Sequence, residues 1–226
     1  DTVAQEVKCV QDRVGIMEVS GFNRFEIRGD GAHDWLDTLF CSRVPRTEGR
    51  VGLCYSLTEQ GSVNGEATLA NLPGDRIWFG SAAAAEYHDM DWLKAHNPPP
   101  GVTIESLTNT HTILVVAGPK SRDVLAHAAP RTDWSKDAFP WLRARDVFVG
   151  HVQAVAMSVS FSGELAWELH IPNAQLLAAY DALIAAGAAY DMGHFGLYAT
   201  ESMRLEKGYR HWKADLITEF NPFESS

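Results

Sequence analysis

The stretch FNRFEIRGDGAHDWLDTLF, residues 22–40, contains the pattern that decides the fold. Its apolar residues alternate over residues 22–29 with the period of a strand, and over residues 30–40 they recur at helical spacing. The stretch therefore predicts a strand that passes through a glycine into a helix. The same order recurs downstream, where residues 112–118 form an apolar run typical of a buried strand. Pro119 then opens a helix, at a position where the missing N–H of proline costs nothing.

A repeat relates the two stretches. They share three identities at one constant offset: Gly29 with Gly118, Asp34 with Asp123, and Leu36 with Leu125. After each stretch the patterns predict a hairpin and a helix, namely strands over 66–72 and 76–81 with a helix over 82–96, and strands over 152–160 and 165–171 with a helix over 173–186. This order predicts an α+β fold of duplicated β-α-β-β-α halves with antiparallel sheets. Coincidence is the alternative, because strand–glycine–helix junctions are common.

The segment Pro98-Pro99-Pro100-Gly101 separates the two halves. Three consecutive prolines cannot continue a helix or a central strand, so the segment is predicted to be a connection. It divides the chain into a first domain, residues 1–97, and a second domain, residues 98–226. A last amphipathic helix, predicted over 195–209, stands outside the repeat.

The composition narrows the class of protein. The 226 residues are 46% hydrophobic and carry a formal charge of −10, which argues against nucleic acid or an anionic membrane as the main partner. No apolar run approaches the length of a spanning helix. Cys9, Cys41 and Cys54 contain no C-x-x-C pair, so we expect reduced, buried thiols in a cytoplasmic protein, or in the mitochondrial matrix if the source is eukaryotic. Because the chain starts at Asp1, we expect a piece of a larger protein.

Common catalytic motifs are missing from the sequence. It contains no G-x-G-x-x-G, no G-x-x-x-x-G-K-[ST], no H-E-x-x-H and no G-x-S-x-G. We therefore predict no metal site and expect any chemistry to rest on carboxylates and arginines near strand ends.

Three short blocks carry such groups. GSVNGE, residues 61–66, places Glu66 after a glycine-bracketed turn, and FSGE, residues 161–164, places Glu164 in a tight turn. SMRLEKG, residues 202–208, places Arg204 in the last helix. Each has an alternative: the two glutamates are also typical of solvated turns, and Arg204 has Glu201 at i−3 as an ion-pair partner.

At these blocks the sequence resembles the folate-binding aminomethyltransferase family, which includes the glycine cleavage T-protein and the folate domains of dimethylglycine and sarcosine dehydrogenases. The similar blocks occur in family order: MEVS (17–20) with F-D-[VM]-S, TEQGSV (58–63) with N-E-x-G-G-[VI], FSGE (161–164) with Y-T-G-E, SMRLE (202–206) with S-L-R-L-E, and NPFE (221–224) with T-P-[LV]-E. FEIRGDGA, residues 25–32, is most similar to the dimethylglycine dehydrogenase branch.

The resemblance implies a T-protein type of fold without that family's C-terminal β-barrel domain. It implies tetrahydrofolate as the cofactor and an N-methyl amine, such as dimethylglycine or sarcosine, as the source of a methylene group that yields 5,10-methylenetetrahydrofolate. FAD would belong to a fused or associated flavin oxidase domain outside this chain. The alternatives are a tetrahydrofolate-dependent O- or S-demethylase and a non-catalytic folate-binding module.

The resemblance also implies roles for named residues. Glu66 would be catalytic, orienting the reacting folate nitrogen and stabilising the positive charge that develops during transfer; the family usually has Asp there. Glu164 would accept hydrogen bonds from the pterin edge, and Arg204 would pair with the anionic folate tail. The candidates for the aromatic walls are Tyr55, Phe161, Trp167 and Tyr209, with core packing as the alternative for each.

Overall fold

The computed structural model describes residues 1–19 and 21–225, which form two compact units. Unit 1 comprises Asp1–Ser20 and Asn109–Tyr209, and unit 2 comprises Gly21–Thr108 and Arg210–Ser226. Ser20, the last residue of the MEVS block, lies outside the described residues.

The elements follow in chain order. They are α1 (Thr2–Asp12), β1 (Gly15–Val19), β2 (Phe22–Arg28), α2 (Ala32–Leu39), β3 (Val51–Leu57), β4 (Val63–Leu72), β5 (Arg76–Ala82), α3 (Glu86–Ala95), β6 (Thr103–Ser106), β7 (His111–Ala117), α4 (Ser121–Ala128), β8 (Ala144–Val149), β9 (Val152–Met157), β10 (Ala166–Pro172), α5 (Leu176–Gly187), β11 (Gly193–His194) and α6 (Leu197–Glu206). Short 3-10 turns at Ala83–Ala85, Asn173–Gln175 and Ala188–Tyr190 adjoin α3 and the two ends of α5.

Unit 2 is built on an antiparallel sheet with the strand order β3-β4-β5-β2-β6. Apolar residues that alternate along β2, β4 and β5 bury one core together with residues of α2 and α3. Fully or nearly fully buried members are Phe25, Ile27, Leu36, Leu69, Ile77, Phe79 and Leu93. The alternation that predicts these strands is therefore the pattern of side chains that face the helices.

Unit 1 is built on a sheet with the strand order β11-β1-β7-β10-β9-β8, antiparallel except where β11 runs parallel to β1. Its larger core is formed by strand residues together with α4 and α5. A second cluster contains residues of α1, β7, β10 and α6 and one residue just before α6: Val10, Ala117, Ala166, Phe195, Ala199 and Met203.

The duplicated α+β fold is confirmed. The order β3-β4-β5-β2 in unit 2 matches the order β8-β9-β10-β7 in unit 1, with a helix after the first strand of each repeat and another after the third strand of each meander. The sequence patterns missed the outer strands β3 and β8, so each predicted hairpin is in fact a three-stranded meander.

The compact units have different boundaries from the halves 1–97 and 98–226. Strand β1 pairs with β7 along its whole length, which places the N-terminal residues in unit 1. The segment after Tyr209 belongs to unit 2, where the Val63 amide donates to the Phe220 carbonyl at 2.9 Å. Each unit is therefore completed by residues from the other side of the Pro98–Gly101 connection.

The repeated glycine of each half is required by the backbone. Gly29 and Gly118 have φ of 119° and 124°, which L side chains rarely adopt. A Cβ atom at Gly118 would lie 2.5 Å from the Val10 carbonyl oxygen, and one at Gly29 would lie 2.5 Å from the Gly101 carbonyl oxygen. The shared identity at this offset therefore marks a strand-to-helix junction with no room for a side chain.

Candidate functional site

In unit 2, Glu66 lies directly opposite Tyr55 on the neighbouring strand. Glu66 is the fourth residue of β4 and Tyr55 the fifth of β3, and the two are partners in the antiparallel register. The glycine turn predicted to precede Glu66 lies at residues 58–62: the Thr58 amide donates to the Ser62 carbonyl at 2.8 Å, and Gly61 has a φ of 86°. Glu66 thus lies within β4, which begins three residues before the predicted strand over 66–72.

The Tyr55 hydroxyl is hydrogen-bonded to the Glu66 carboxylate. Burial raises the pKa of Glu66, while the hydrogen bond from Tyr55 and the nearby His211 imidazole act in the opposite direction. The pKa of Tyr55 is raised by burial and by the neighbouring Glu66 charge, so the phenol keeps its proton. The pair therefore consists of a protonated donor and a carboxyl group that binds a proton more readily than an exposed glutamate does.

The C-terminal segment packs beside this pair. The Trp212 indole N–H donates to the Asn64 carbonyl at 3.4 Å, next to the hydrogen bond between Val63 and Phe220. Arg210 and His211 act electrostatically on Tyr55 and Glu66, respectively. Sequence reasoning missed this contribution, since nothing in the residue pattern indicates that the end of the chain returns to β4.

In unit 1, Glu164 lies in the turn between β9 and β10, as predicted. The Ser160 and Ser162 hydroxyls accept from the amides of Gly163 and Glu164 at 3.1 and 3.4 Å. One carboxylate oxygen, Oε1, is 3.2 Å from the Lys207 ammonium, and the Glu164 side chain is 19% exposed. This is a partly desolvated carboxylate in a turn whose own amides are satisfied, which fits a group that accepts hydrogen bonds from a ligand.

Arg204 is buried and engaged within its own helix end. Its Nε and Nη2 atoms donate to one oxygen of Glu201 at 2.9 and 2.7 Å, and Nη1 donates to the Tyr209 carbonyl at 2.9 Å. The residue is only 5% exposed. The structure thus contains the i−3 ion pair that was the alternative to a ligand-binding role.

The aromatic candidates in unit 1 differ in burial. Trp167 is fully buried in the larger core, where Trp134 meets it edge-on at 5.8 Å and the Arg122 guanidinium lies 4.6 Å from its ring. We therefore assign Trp167 to core packing. Phe161 is half-buried with the Arg204 guanidinium 5.7 Å from its ring, and Tyr209 is 41% exposed. Only these last two leave ring surface for a ligand.

The structure also describes the cysteines and the groups that could bind a metal ion. All three cysteines are free; Cys9 and Cys54 are buried, and burial raises the pKa of Cys54 to about 12. Cys41 is exposed, so the expectation of a buried thiol is wrong there, because it lies past the end of α2 in an irregular segment.

Across residues 1–19 and 21–225, no three His, Cys, Asp or Glu residues gather as a metal site would require. The helices in those ranges are too short or too polar to cross a membrane.

Known proteins match the chain in sequence and in fold. The GCVT N-terminal domain family matches residues 1–226. Human mitochondrial dimethylglycine dehydrogenase is 32% identical over 227 residues, which cover 100% of this chain and 26% of the relative. The aminomethyltransferase of Chloroherpeton thalassium is 27% identical, covering 100% of this chain and 62% of the relative.

The fold is that of a solved T-protein. The glycine cleavage system aminomethyltransferase T from Bartonella henselae superposes with a TM-score of 0.84 at 18% identity, covering 97% of this chain and 58% of that one. The chain spans about a quarter of the length of the human relative that it matches. Because the family match runs from the first residue to the last and the fold agrees, the chain belongs to the glycine cleavage T-protein family through its GCVT N-terminal domain.

Proposed function

We propose that the chain is a tetrahydrofolate-binding, one-carbon-transfer domain that accepts a methylene group from an N-methyl amine such as dimethylglycine or sarcosine. The product would be 5,10-methylenetetrahydrofolate. The observation that carries the proposal is the Tyr55–Glu66 pair, a half-buried carboxyl with a raised pKa in a block that resembles the family's reacting turn. Family membership and the similarity to dimethylglycine dehydrogenase support the same reaction class.

Glu66 is the proposed catalytic residue, and Tyr55 its positioning residue. Bound tetrahydrofolate supplies the nucleophilic nitrogen that accepts the one-carbon unit. The Glu66 carboxyl, whose pKa is raised by burial, can hold a proton or pass it to an amine nitrogen within hydrogen-bond reach. The Tyr55 hydroxyl fixes the carboxyl orientation, and its own raised pKa keeps it a donor. Placed acid–base groups of this kind contribute on the order of 10²- to 10⁴-fold in rate.

Glu164 is the proposed acceptor for the pterin. A pterin ring presents an amino group and a ring N–H on one edge, and a carboxylate can accept both in a charge-assisted, bidentate pair. The partial exposure of Glu164 and its satisfied turn amides fit this donor set. The half-buried ring of Phe161 and the exposed ring of Tyr209 are the proposed aromatic surfaces in unit 1.

We place the oxidation of the amine in a separate flavin-bearing domain, fused to this chain or associated with it. The human relative is named a dehydrogenase and is about four times longer than the matched region, which leaves room for such a domain. We propose the mitochondrial matrix for a eukaryotic source, in line with the mitochondrial human relative, and the cytoplasm for a bacterial source.

The test is anaerobic calorimetry with tetrahydrofolate, followed by transfer assays with an added dimethylglycine-oxidising flavoenzyme. We expect saturable binding that Glu164→Gln weakens and that Asp181→Asn, an exposed control on α5, leaves intact. Glu66→Gln should lower the rate of 5,10-methylenetetrahydrofolate formation more than it lowers binding, whereas Glu59→Gln, exposed near the tip of the same hairpin, should do neither.

The absence of saturable binding in the wild type would refute the proposal. If binding persists and 5-methyltetrahydrofolate accumulates from a methyl ether or thioether, the chain is a demethylase of the same fold instead.

A further inference from the structure

The two cations of the SMRLEKG block are held very differently. Arg204 is 5% exposed, with its donors bonded to Glu201 and to the Tyr209 carbonyl. Lys207 is the C-cap of α6, its side chain is 38% exposed, and its ammonium lies 3.2 Å from Glu164. Lys207 can therefore change partners at much lower cost than Arg204 can.

The stem of Lys207 lies on the turn that carries Glu164. Gly163 has a φ of 77°, and a Cβ atom there would clash with Cγ of Lys207 and approach its Cβ to 3.0 Å. Glycine is thus needed at this position both for the backbone conformation and for the lysine that covers it. The contact keeps the ammonium near Glu164 even when the ion pair is broken, because the aliphatic stem packs independently of the charge.

Lys207 and a pterin compete for the same carboxylate. Bidentate acceptance from a pterin edge uses both oxygens of Glu164, and in this structure the ammonium is paired with Oε1. Where the pterin edge approaches Oε1 from the side of the ammonium, it displaces the ammonium from that oxygen. The displaced cation, on a flexible stem with three donors, is then available to an anion on the same ligand.

We propose, resting on the proposed function, that Lys207 exchanges partners when folate binds: it pairs with Glu164 in the free protein and with the glutamyl carboxylate of the bound folate. Exchange replaces one half-exposed ion pair with another, so it costs little for a ligand that has an anionic tail. A tail-free pterin breaks the ion pair between Lys207 and Glu164 and offers the ammonium no new partner. Lys207 is thus a specificity-determining residue that favours folates over simple pterins, with the tail-binding role that the family resemblance implied for Arg204.

The test compares two ligands, tetrahydrofolate and tail-free 5,6,7,8-tetrahydropterin, by anaerobic calorimetry. Lys207→Met retains a stem and removes the charge, Lys207→Arg keeps the charge, and Lys120→Met removes a half-exposed lysine that pairs with Asp123 on α4. For Lys207→Met we expect tetrahydropterin to bind roughly two- to fivefold more tightly, the range for a half-exposed ion pair, while tetrahydrofolate affinity changes little.

The preference for tetrahydrofolate should therefore fall by the same factor in Lys207→Met and stay at the wild-type value in Lys207→Arg and Lys120→Met. A loss of packing alone would weaken both ligands together and leave their ratio unchanged. If the wild type binds both ligands and Lys207→Met leaves the ratio unchanged, partner exchange is overturned while the proposed function stands. If the wild type binds neither ligand, both are overturned.

Discussion

Replacing Arg204 with methionine should destabilise unit 1 without removing a ligand-binding group. The guanidinium is buried, and it joins three features: the Glu201 carboxylate, the Tyr209 carbonyl and the ring of Phe161. Methionine fills much of the same volume but cannot donate a hydrogen bond. Its main effect is therefore on the polar contacts at the end of α6.

The expected loss of stability depends on which polar groups lose their partner when Arg204 is replaced. Removing one member of a fully buried ion pair costs about 3–5 kcal/mol, and one hydrogen bond to a charged group contributes about 1.5–3 kcal/mol. Glu201 is 32% exposed, so its carboxylate regains part of its hydration when Arg204 is lost. The Tyr209 carbonyl loses the guanidinium donor as well. We expect about 2–4 kcal/mol of lost stability, which lowers the Tm by roughly 5–15 °C.

Urea and thermal unfolding of the wild type, Arg204→Met, Glu201→Gln and the double variant measure this effect. The two single changes should be non-additive, with a coupling of about 1–3 kcal/mol, because they remove the same pair. At a temperature where Arg204→Met is folded, its affinity for tetrahydrofolate should stay within about twofold of the wild type, since the guanidinium is already bonded to Glu201 and the Tyr209 carbonyl. If Arg204→Met has the same Tm as the wild type but no longer binds tetrahydrofolate, the reasoning is refuted and Arg204 is the cation that binds the ligand.

Further predictions concern the Tyr55–Glu66 pair and the repeated glycine. Burial raises the pKa of Glu66 in the folded protein. The contribution of protonated Glu66 to the free energy of unfolding is therefore present at acid pH and is lost as the pH rises through the folded pKa. In urea titrations, Glu66→Gln should gain stability relative to the wild type from acid to neutral pH. Tyr55→Phe removes a hydrogen bond that lowers the pKa of Glu66, so carbon-13 NMR of the carboxyl should show it titrating at higher pH, and an unchanged pKa would contradict the pairing. Gly118→Ala should cost roughly 2–4 kcal/mol because of its φ and the approach to the Val10 carbonyl, whereas Gly21→Ala, with open space around it, should stay within about 0.5 kcal/mol.

The sequence predicts the fold well for elements that bury one apolar face against elements close by in the chain. The strand–glycine–helix stretches and the helices after the meanders have complete apolar patterns, and the structure contains elements at all of them. The outer strands were missed for a physical reason. Strands β3 and β8 each pair on one side within the sheet, and both alternate buried and exposed positions irregularly. A period-two pattern that is only partly buried cannot be distinguished from a loop.

Residue roles are harder to predict because the chemistry of a side chain is set by its tertiary neighbours. Trp167 and Phe161 are equally plausible ring surfaces in a sequence, yet one is fully buried and the other lies beside Arg204. The Arg204–Glu201 pair was foreseeable as an alternative, because its partner is one helical turn away. The Lys207–Glu164 pair was not, because it joins a helix end to a turn more than forty residues earlier in the chain.

The position of Glu66 depends on a register that residue types alone do not reveal. Leu57 pairs with Val63 and Ser56 with Gly65, so Asn64 is an extra residue in β4. Because of this bulge, Glu66 comes opposite Tyr55; without it, Glu66 would come opposite the buried Cys54.

The glycine after the bulge allows the close approach. A Cβ atom at Gly65 would lie 2.9 Å from the Ser56 hydroxyl, and the Asn64 side chain donates to that same hydroxyl at 3.4 Å. The glycines of GSVNGE therefore serve two structures, a turn at Gly61 and a bulge beside Gly65, and it is the bulge that brings the Glu66 carboxyl to the Tyr55 hydroxyl. A change of one residue in the length of this block would separate the pair while leaving every chemically reactive side chain in the sequence.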